Sequence, residues 1–450
     1  MARAQSHACI ALFRRALGAA RLSMASIHDT PTRAAAPTAP ARPSTLAPSS
    51  QQLAERFRPV FARIAEHAAQ RENDRELAYA PVAWLKAARF GALRVPLAHG
   101  GLGASVEQLY DLLIELGEAD SNLPQILRAH FGFIERLFAE IDPTLHGPWM
   151  RLAADGVIFG NATTELGEGA LGALQTTLTR DAQSADTWRL DGDKFYSTGT
   201  LYADWISVAA QRLNDDGSSD RVIALVPAEA AGVERVDDWR GFGQRLSASG
   251  TTRFRQVRVK PEHVLLYVRD QPTPLTAHFQ LTHLATLAGI ARAIVRDAVA
   301  FVQPRKRVYS HGSGATPRED PLVQQVIGQL ASTAFVAAST VQAVARGLGE
   351  VDRHLQRGEA VPEQLLFEVE LNTAKAQAGI VDAVLQAGTR LFDIGGASAL
   401  QEDRRLDRHW RNARTLASHN PTIYKGRVVG DHLLNGARPT FYWAVGAIAS

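Results

Sequence analysis

The feature that most constrains the fold of this chain is a change of local pattern that occurs twice along its length. From residue 51 to about 141, apolar spacing and glycine breaks predict helices over 51–70, Val82 to Phe90, Ser105 to Gly117 and Asp120 to Phe133. Ser105 follows a link containing His99, Gly100, Gly101 and Gly103, and it suits the N-cap of the third helix. Between roughly 155 and 265 short strand-like runs take over, clearest at Arg221 to Val226 and Thr251 to Val259. Asp191-Gly192 and Asp215-Asp216-Gly217 read as turns between strands. Residues 278–390 return to helix, interrupted over 303–320 by Pro304, Gly312, Gly314 and Pro317, and a last helical part follows Gly395-Gly396. The order helical, strand, helical predicts an α+β protein and names no chemistry by itself.

Composition narrows the class further. A chain of 450 residues with 46% hydrophobic content can bury a large core. A net charge of +3 is too weak to argue for nucleic acid, and the basic run Arg253, Arg255, Arg258 and Lys260 reads as a solvated strand edge. The lone Cys9 excludes an internal disulfide and a cysteine-built metal centre, so reduced, cytoplasmic surroundings are expected. No apolar run of membrane-spanning length stands out, so no membrane is expected. Residues 1–50 read as an extension outside the fold: 10–24 suits a small basic amphipathic helix, and 29–50, rich in Ala, Pro, Ser and Thr, cannot build a core. There is no dinucleotide-binding glycine fingerprint, phosphate-binding Gly-Lys-Ser/Thr loop or His-Glu-x-x-His helix. Glu368 and Glu370 are not spaced as a di-metal ligand set, and no metal is expected.

The string Leu406-Asp407-Arg408-His409-Trp410-Arg411-Asn412-Ala413-Arg414-Thr415, followed by His419-Asn420-Pro421, carries a resemblance. Over 51–436 the chain resembles the acyl-CoA dehydrogenase superfamily, and these strings resemble most the dibenzothiophene monooxygenase branch of its flavin-dependent monooxygenases. The resemblance implies an N-terminal helical domain over 51–154 and a middle β-barrel-like domain over 155–265. It also implies a C-terminal four-helix bundle with its tail over 266–450, carrying the contacts of a homotetramer.

It further assigns flavin contacts. In Asn161-Ala162-Thr163-Thr164-Glu165-Leu166-Gly167 the small hydroxyls of Thr163 or Thr164 bind the ring without excluding it; read alone, these residues could equally end a strand. In Lys194-Phe195-Tyr196-Ser197-Thr198-Gly199, Tyr196 packs on the ring and Ser197 or Thr198 adds a polar contact, although a half-buried strand would look alike. Pro304-Arg305-Lys306-Arg307-Val308 falls where the family places a basic phosphate contact, with Arg305 the leading choice and Lys306 and Arg307 open to water. Gly395 and Gly396, within Phe392 to Ala397, match a cofactor-contact segment at a subunit interface.

The chemistry turns on Ile423-Tyr424-Lys425-Gly426. Many acyl-CoA dehydrogenases have Tyr-Glu-Gly there, the glutamate removing a proton; a solvated Lys425 ammonium cannot do so at ordinary pH. Glu368 and Glu370 are the alternative carboxylates. His419 matches a histidine near the oxygen-activation site of the monooxygenases, where imidazole can protect or protonate the oxygenated flavin. That branch has a further histidine where this chain has Leu416, so identical substrate recognition is not implied. His99 and His130 are secondary candidates bordering the substrate pocket, and His409 is a candidate for orienting the segment. The implied function is a two-component monooxygenase of a small organosulfur or heteroaromatic compound. It would use molecular oxygen and FMN as FMNH2 from a separate NAD(P)H-dependent flavin reductase. An FAD-dependent acyl-CoA dehydrogenase and a non-enzymatic helical scaffold are the alternatives.

Overall fold

The computed structural model describes residues 47–139, 141–166, 173–267 and 271–441. The expected helix over 10–24, most of the expected extension, Cys9 and Gly167 lie outside these residues. The N-terminal helices are α1 (Ser50–Glu66), α2 (Ala68–Asp74), α3 (Tyr79–Ala87), α4 (Val106–Ala119), α5 (Asn122–Ala139) and α6 (Pro143–Ala154). Ser105 caps α4 as expected: its hydroxyl takes the Gln108 amide at 3.2 Å while the Gln108 side chain takes the Ser105 amide at 2.9 Å. This reciprocal pair satisfies two donors that would otherwise be orphaned at the helix start.

The strands are β1 (Phe159–Ala162), β2 (Thr177–Asp181), β3 (Ser184–Lys194), β4 (Trp205–Leu213), β5 (Ser219–Pro227), β6 (Val233–Arg235), β7 (Thr252–Val259) and β8 (Val264–Leu266). They form one sheet in the order β6-β7-β3-β2-β4-β5-β8, and β1 also pairs with β4. The expectation of a barrel-like middle domain is corrected here: the sheet is open. Its terminal strands β6 and β8 are three residues long, pair only with β7 and β5, and do not meet each other among the described residues. Closure needs a continuous ladder between the two ends, and strands this short at opposite ends of the order do not supply one. β4 instead shares one edge between two parallel partners, β1 near its start and β2 near its end.

A second correction concerns Asp191-Gly192, which lies inside β3 rather than in a turn. The ladder with β7 shifts register between Leu190 and Gly192, and a Cβ on Gly192 would stand 2.7 Å from the Thr176 Cα. The glycine marks a bulge and a close backbone approach. Asp215-Asp216-Gly217 does join β4 to β5, with Asp216 accepting the Ser218 amide at 2.9 Å.

The C-terminal part is a helical bundle of α7 (Leu275–Val302), α8 (Pro321–Gln356), α9 (Glu363–Arg390), α10 (Asp407–Ala417) and α11 (Ile423–Asn435). The predicted break over 303–320 separates α7 from α8, and Asp320 caps α8 through the Leu322 amide at 2.8 Å. One apolar core runs from Phe57 and Phe90 through Leu113 and Leu281 to Leu348 and Val384, so the helical ends of the chain pack together. The sheet keeps its own cluster around Leu178, Val208, Val226 and Phe254. Contrary to the sequence reading, α8 is long and apolar enough to cross a membrane by length and composition. It packs Leu330, Val341 and Leu348 into the core and leaves Phe335 and Val336 exposed.

Helices α4 and α7 cross where Gly117 faces Gly289. A Cβ on Gly289 would lie 2.6 Å from the Gly117 carbonyl carbon and the Ile114 oxygen. These backbone atoms cannot swing aside, so Gly289→Ala is expected to cost about 1–3 kcal/mol, read as a lower denaturant midpoint. Gly328→Ala on α8, where an added Cβ meets nothing within 4 Å, is the control and should not destabilise.

Candidate active site

Three groups of the expected residues come together locally. The first joins the loop after β1 to the end of β3. Phe195 donates its amide to the Thr164 carbonyl at 2.8 Å, and the Thr163 hydroxyl donates to Asn161 at 2.9 Å. Beneath them lies a pair that sequence reasoning missed. The buried Lys194 donates to Glu165 at 2.6 Å and to the Thr163 carbonyl at 3.3 Å, and burial pushes its ammonium down to about 8. Glu165 also accepts the amides of Gln175 and Thr176, at 2.6 and 3.0 Å, so this carboxylate pins the threonine loop to two strands. Alternating charge within a strand motif gave no sign that Lys194 points inward.

Tyr196 adopts φ 55° and exposes 56% of its surface, its ring edge-on to Trp239 at 6.2 Å. A tyrosine held in the left-handed region and turned outward is costly by itself and suits a flat ligand face. The neighbouring Ser197 hydroxyl is buried and has no partner. Gly199, at φ 80°, lets this segment reach α5: a Cβ there would stand 2.6 Å from the Ile126 carbonyl oxygen.

The second group is at the end of α7. Arg305 donates to the Ser398 hydroxyl at 2.6 Å and lies 4.5 Å over the Phe301 ring, which Arg404 also covers at 5.0 Å. Gly395 is packed so closely that a Cβ would meet that ring at 2.2 Å, and Gly396 takes φ 54°. Lys306 and Arg307 are exposed, as read from the sequence. Arg305, Gly395 and Gly396 therefore belong together, but no hydrogen bond, ion pair or ring contact joins them to the first group among the described residues.

The third group surrounds His419, in the link between α10 and α11. Its ring lies 4.5 Å from that of His283 on α7, and its Nδ1 is 3.4 Å from the Asn420 side-chain oxygen. His419 is exposed at this link, yet the protein atoms around its ring and the positive charge of Arg128 act to lower its imidazole below the ordinary value. Burial, Arg128 and His419 act on His283 in the same direction, and its buried Nε2 has no partner. Arg128, on α5, donates through Nε to the Phe279 carbonyl at 3.2 Å. Phe279 in turn lines a cavity of about 30 Å³ together with Asn161 and Thr163, which links the histidine group to the first group. Arg128 and His283 were missed because an isolated polar residue in an apolar helix reads as core. The available signal was that Arg128 has no acidic residue three or four places away on its helix.

The remaining candidates fall elsewhere. His130 is buried, its Nδ1 accepting the Phe159 amide at 3.3 Å, which leaves Nε2 to donate to the Gly91 carbonyl at 2.8 Å. Both ring nitrogens are thus used in joining α5 to β1 and its surroundings. His99 closes a short 3-10 turn over Leu97–His99. His409 contacts Asp297 at 2.8 Å, fastening α10 to α7. Glu368 lies on the surface beside Gln364, whereas Glu370 is buried with Lys425 at 3.8 Å. Burial pushes the Glu370 carboxyl up, against the pull of the Lys425 ammonium. Among the described residues no cluster of His, Cys, Asp and Glu could hold a metal.

Residues 281–422 match the family described as "Acyl-CoA dehydrogenase, C-terminal domain". The whole architecture also matches TdsC from Paenibacillus sp. A11-2 in complex with FMN and indole: TM-score 0.79 and 25% identity, covering 86% of this chain and 98% of that one. The chain belongs to the acyl-CoA dehydrogenase superfamily. Within this superfamily it stands with the flavin monooxygenases that resemble dibenzothiophene monooxygenase. The dibenzothiophene monooxygenase of Rhodococcus erythropolis is 26% identical over 370 residues, 79% of this chain and 86% of that protein. The probable FMNH2-dependent monooxygenase SfnC of Pseudomonas putida is 28% identical over 362 residues, 78% of this chain and 87% of that protein. Methanesulfinate monooxygenase MsuC of Pseudomonas fluorescens has a TM-score of 0.76 and 26% identity, over 86% of this chain and 97% of that one.

Proposed function

We propose that this protein is the oxygenase of a two-component flavin system, taking reduced FMN and molecular oxygen to oxygenate a small organosulfur or heteroaromatic compound. The observation that carries this reading is the likeness, over 86% of this chain, to TdsC in complex with FMN and indole. Three local features support a flavin site. The outward Tyr196 ring, the buried Ser197 hydroxyl without a partner and the pinned Thr163-Thr164 loop offer one flat face and several polar contacts. Arg305, backed by the close-packed Gly395 and Gly396, suits a phosphate. Because these are separate groups, a homotetramer in which one subunit's Arg305 group completes another's ring site fits them both.

Bound FMN would supply the electrons and the oxygen chemistry. The chain's own residues then have defined tasks. Thr163, Thr164, Tyr196 and Ser197 orient the ring, and Arg305 holds the phosphate. The neutral His419 ring donates a hydrogen bond where oxygen is activated. His99 and His130 shape the surroundings only. A separate NAD(P)H-dependent reductase delivers the reduced flavin, and a cytoplasmic location suits such a pair. FAD-dependent dehydrogenation is disfavoured because Glu370 is paired with Lys425, and Glu368 lies at the surface.

The test is anaerobic reduction followed by an oxygen pulse, with FMN and FAD compared. Stoichiometric binding of reduced FMN, with oxygen uptake matched by oxygenated sulfur or heteroaromatic product, is expected. Rapid reduction of bound FAD by an acyl-CoA thioester would overturn the reading, and failure to bind either flavin would favour a scaffold.

A further inference from the structure

Backbone strain in this protein gathers beside the ring segment. Seven non-glycine residues take a positive φ among the described residues, and three of them belong to one place: Tyr196 at 55°, Gln244 at 51° and Ala248 at 52°. Such conformations are costly and persist only where surrounding groups hold them, so their clustering points to a part of the fold shaped for a purpose. Gln244 and Ala248, 2% and 1% exposed, lie in the loop over 243–250, which runs along the segment after Tyr196. Ser197 donates its amide to the Gly250 carbonyl at 2.9 Å, and Gly199 donates to that of Ser247 at 3.0 Å. Three hydroxyls continue the contact. Ser247 donates to the Gln244 carbonyl at 2.8 Å, so Ser249, 2.8 Å from it, must donate to Ser247, and Thr198, 2.8 Å from Ser249, must donate to Ser249. The Thr198 proton is thereby committed to the loop, and its oxygen is left to accept.

Side-chain amides from two other elements hold the loop itself. Asn412 on α10, 4% exposed, accepts the Gln244 amide at 2.5 Å and donates to the Ser121 hydroxyl at 3.1 Å. Asn122, at the start of α5, accepts the Leu246 amide at 3.2 Å. A Cβ on Gly243 would stand 2.1 Å from the Arg411 carbonyl oxygen, so loop and helix meet backbone to backbone.

We infer that Asn412 is a positioning residue of the flavin-ring site. By fixing the Gln244 amide it keeps the loop in its left-handed turns, and through Ser247 and Ser249 the loop sets where Ser197 and Thr198 present their polar atoms. The inference rests on the proposed flavin site and adds to it a residue on α10, the helix that leads into the His419 link. A leucine at 412 would keep the bulk and lose the accepting oxygen. An aspartate would keep that oxygen and lose only the donor to Ser121.

The test reads flavin binding and folding side by side: FMN affinity, the visible dichroism of bound FMN, and the thermal midpoint of the flavin-free protein. Asn412→Leu is expected to bind FMN about tenfold more weakly than wild type, the scale of one buried hydrogen bond, and to alter the dichroism at saturation. Asn412→Asp should recover most of the affinity, and Ser121→Ala should leave it unchanged. Equal affinity and dichroism in wild type and Asn412→Leu would overturn the proposal. A lowered midpoint with affinity intact would do the same, as would an equal loss of affinity in Ser121→Ala, because either result describes packing alone. Should Asn412→Leu fail to fold, Ser249→Ala decides. It cuts the hydroxyl chain in the middle and is expected to weaken FMN about threefold; unchanged affinity there would overturn the proposal. Absence of FMN binding by wild type is the failure of the flavin-site reading itself and is told apart by the wild-type titration.

Discussion

In a His419→Ala protein, oxygenated product formed per oxygen consumed falls by about a hundredfold, the order found when one preorganised hydrogen-bond donor is removed from a reaction centre. Reduced FMN still binds, because the residues assigned to ring and phosphate lie in other groups, and the missing product appears as released hydrogen peroxide. His419→Gln should restore part of the coupling, since an amide can donate while it cannot titrate. The pH profile gives the sharper reading. Surrounding protein atoms and the Arg128 charge act to lower the folded-state value of His419, so the neutral ring is the form expected over pH 6–9. No step assignable to its titration is expected in that range. A step near pH 6.5, lost in His419→Gln, would mean that an imidazolium acts as acid and would contradict the neutral-donor role. Unchanged coupling in His419→Ala would remove the residue from the centre altogether.

The largest effect on stability is expected at Arg94. Arg94 is 3% exposed, and its guanidinium bonds Glu135 and Asp352 and also donates to the Ala104 carbonyl. Arg94→Met strands two buried carboxylates. The cost of removing one partner from such a network is about 3–5 kcal/mol, mostly the penalty of the charges left behind. Urea titration should therefore give a much lower midpoint for the variant, with no change in slope. Replacing the whole cluster, as Arg94→Met with Glu135→Leu and Asp352→Leu, should recover most of the loss. If the single variant were as stable as wild type, the cluster would not be the clamp between α5, α8 and the loop after α3 that its distances describe.

How far the sequence carried the fold depended on whether a feature was local. The Ser105 N-cap, the break at Pro304 to Pro317 and the Asp215-Asp216-Gly217 turn are each decided by residues a few positions apart, and each stands as expected. Asp191-Gly192 failed because a glycine that permits a bulge and one that permits a turn look the same until the partner strand is seen. Sheet closure failed for a related reason: it is a property of the pairing between distant edges and not of any one strand.

The candidate site divides in the same manner. Hydroxyls and glycines in recognisable strings, such as Thr163, Tyr196, Arg305 and Gly395, could be named, and the structure groups them in two places. Lys194, Arg128 and His283 could not. Their place in the site comes from encounters across the fold: Glu165 for Lys194, the Phe279 carbonyl and ring for Arg128, and, among the described residues, no partner for the His283 Nε2. A single chain read from end to end contains the residue types but not those encounters.

The Lys425–Glu370 contact constrains the history of this scaffold. A lysine with its own buried carboxylate cannot be exchanged for glutamate in one step, because Glu370 would then face a second acid in a place already short of water. One of the two would have to hold a proton, and the base so created would be the wrong strength. A change of charge at this contact therefore calls for paired changes on α9 and α11.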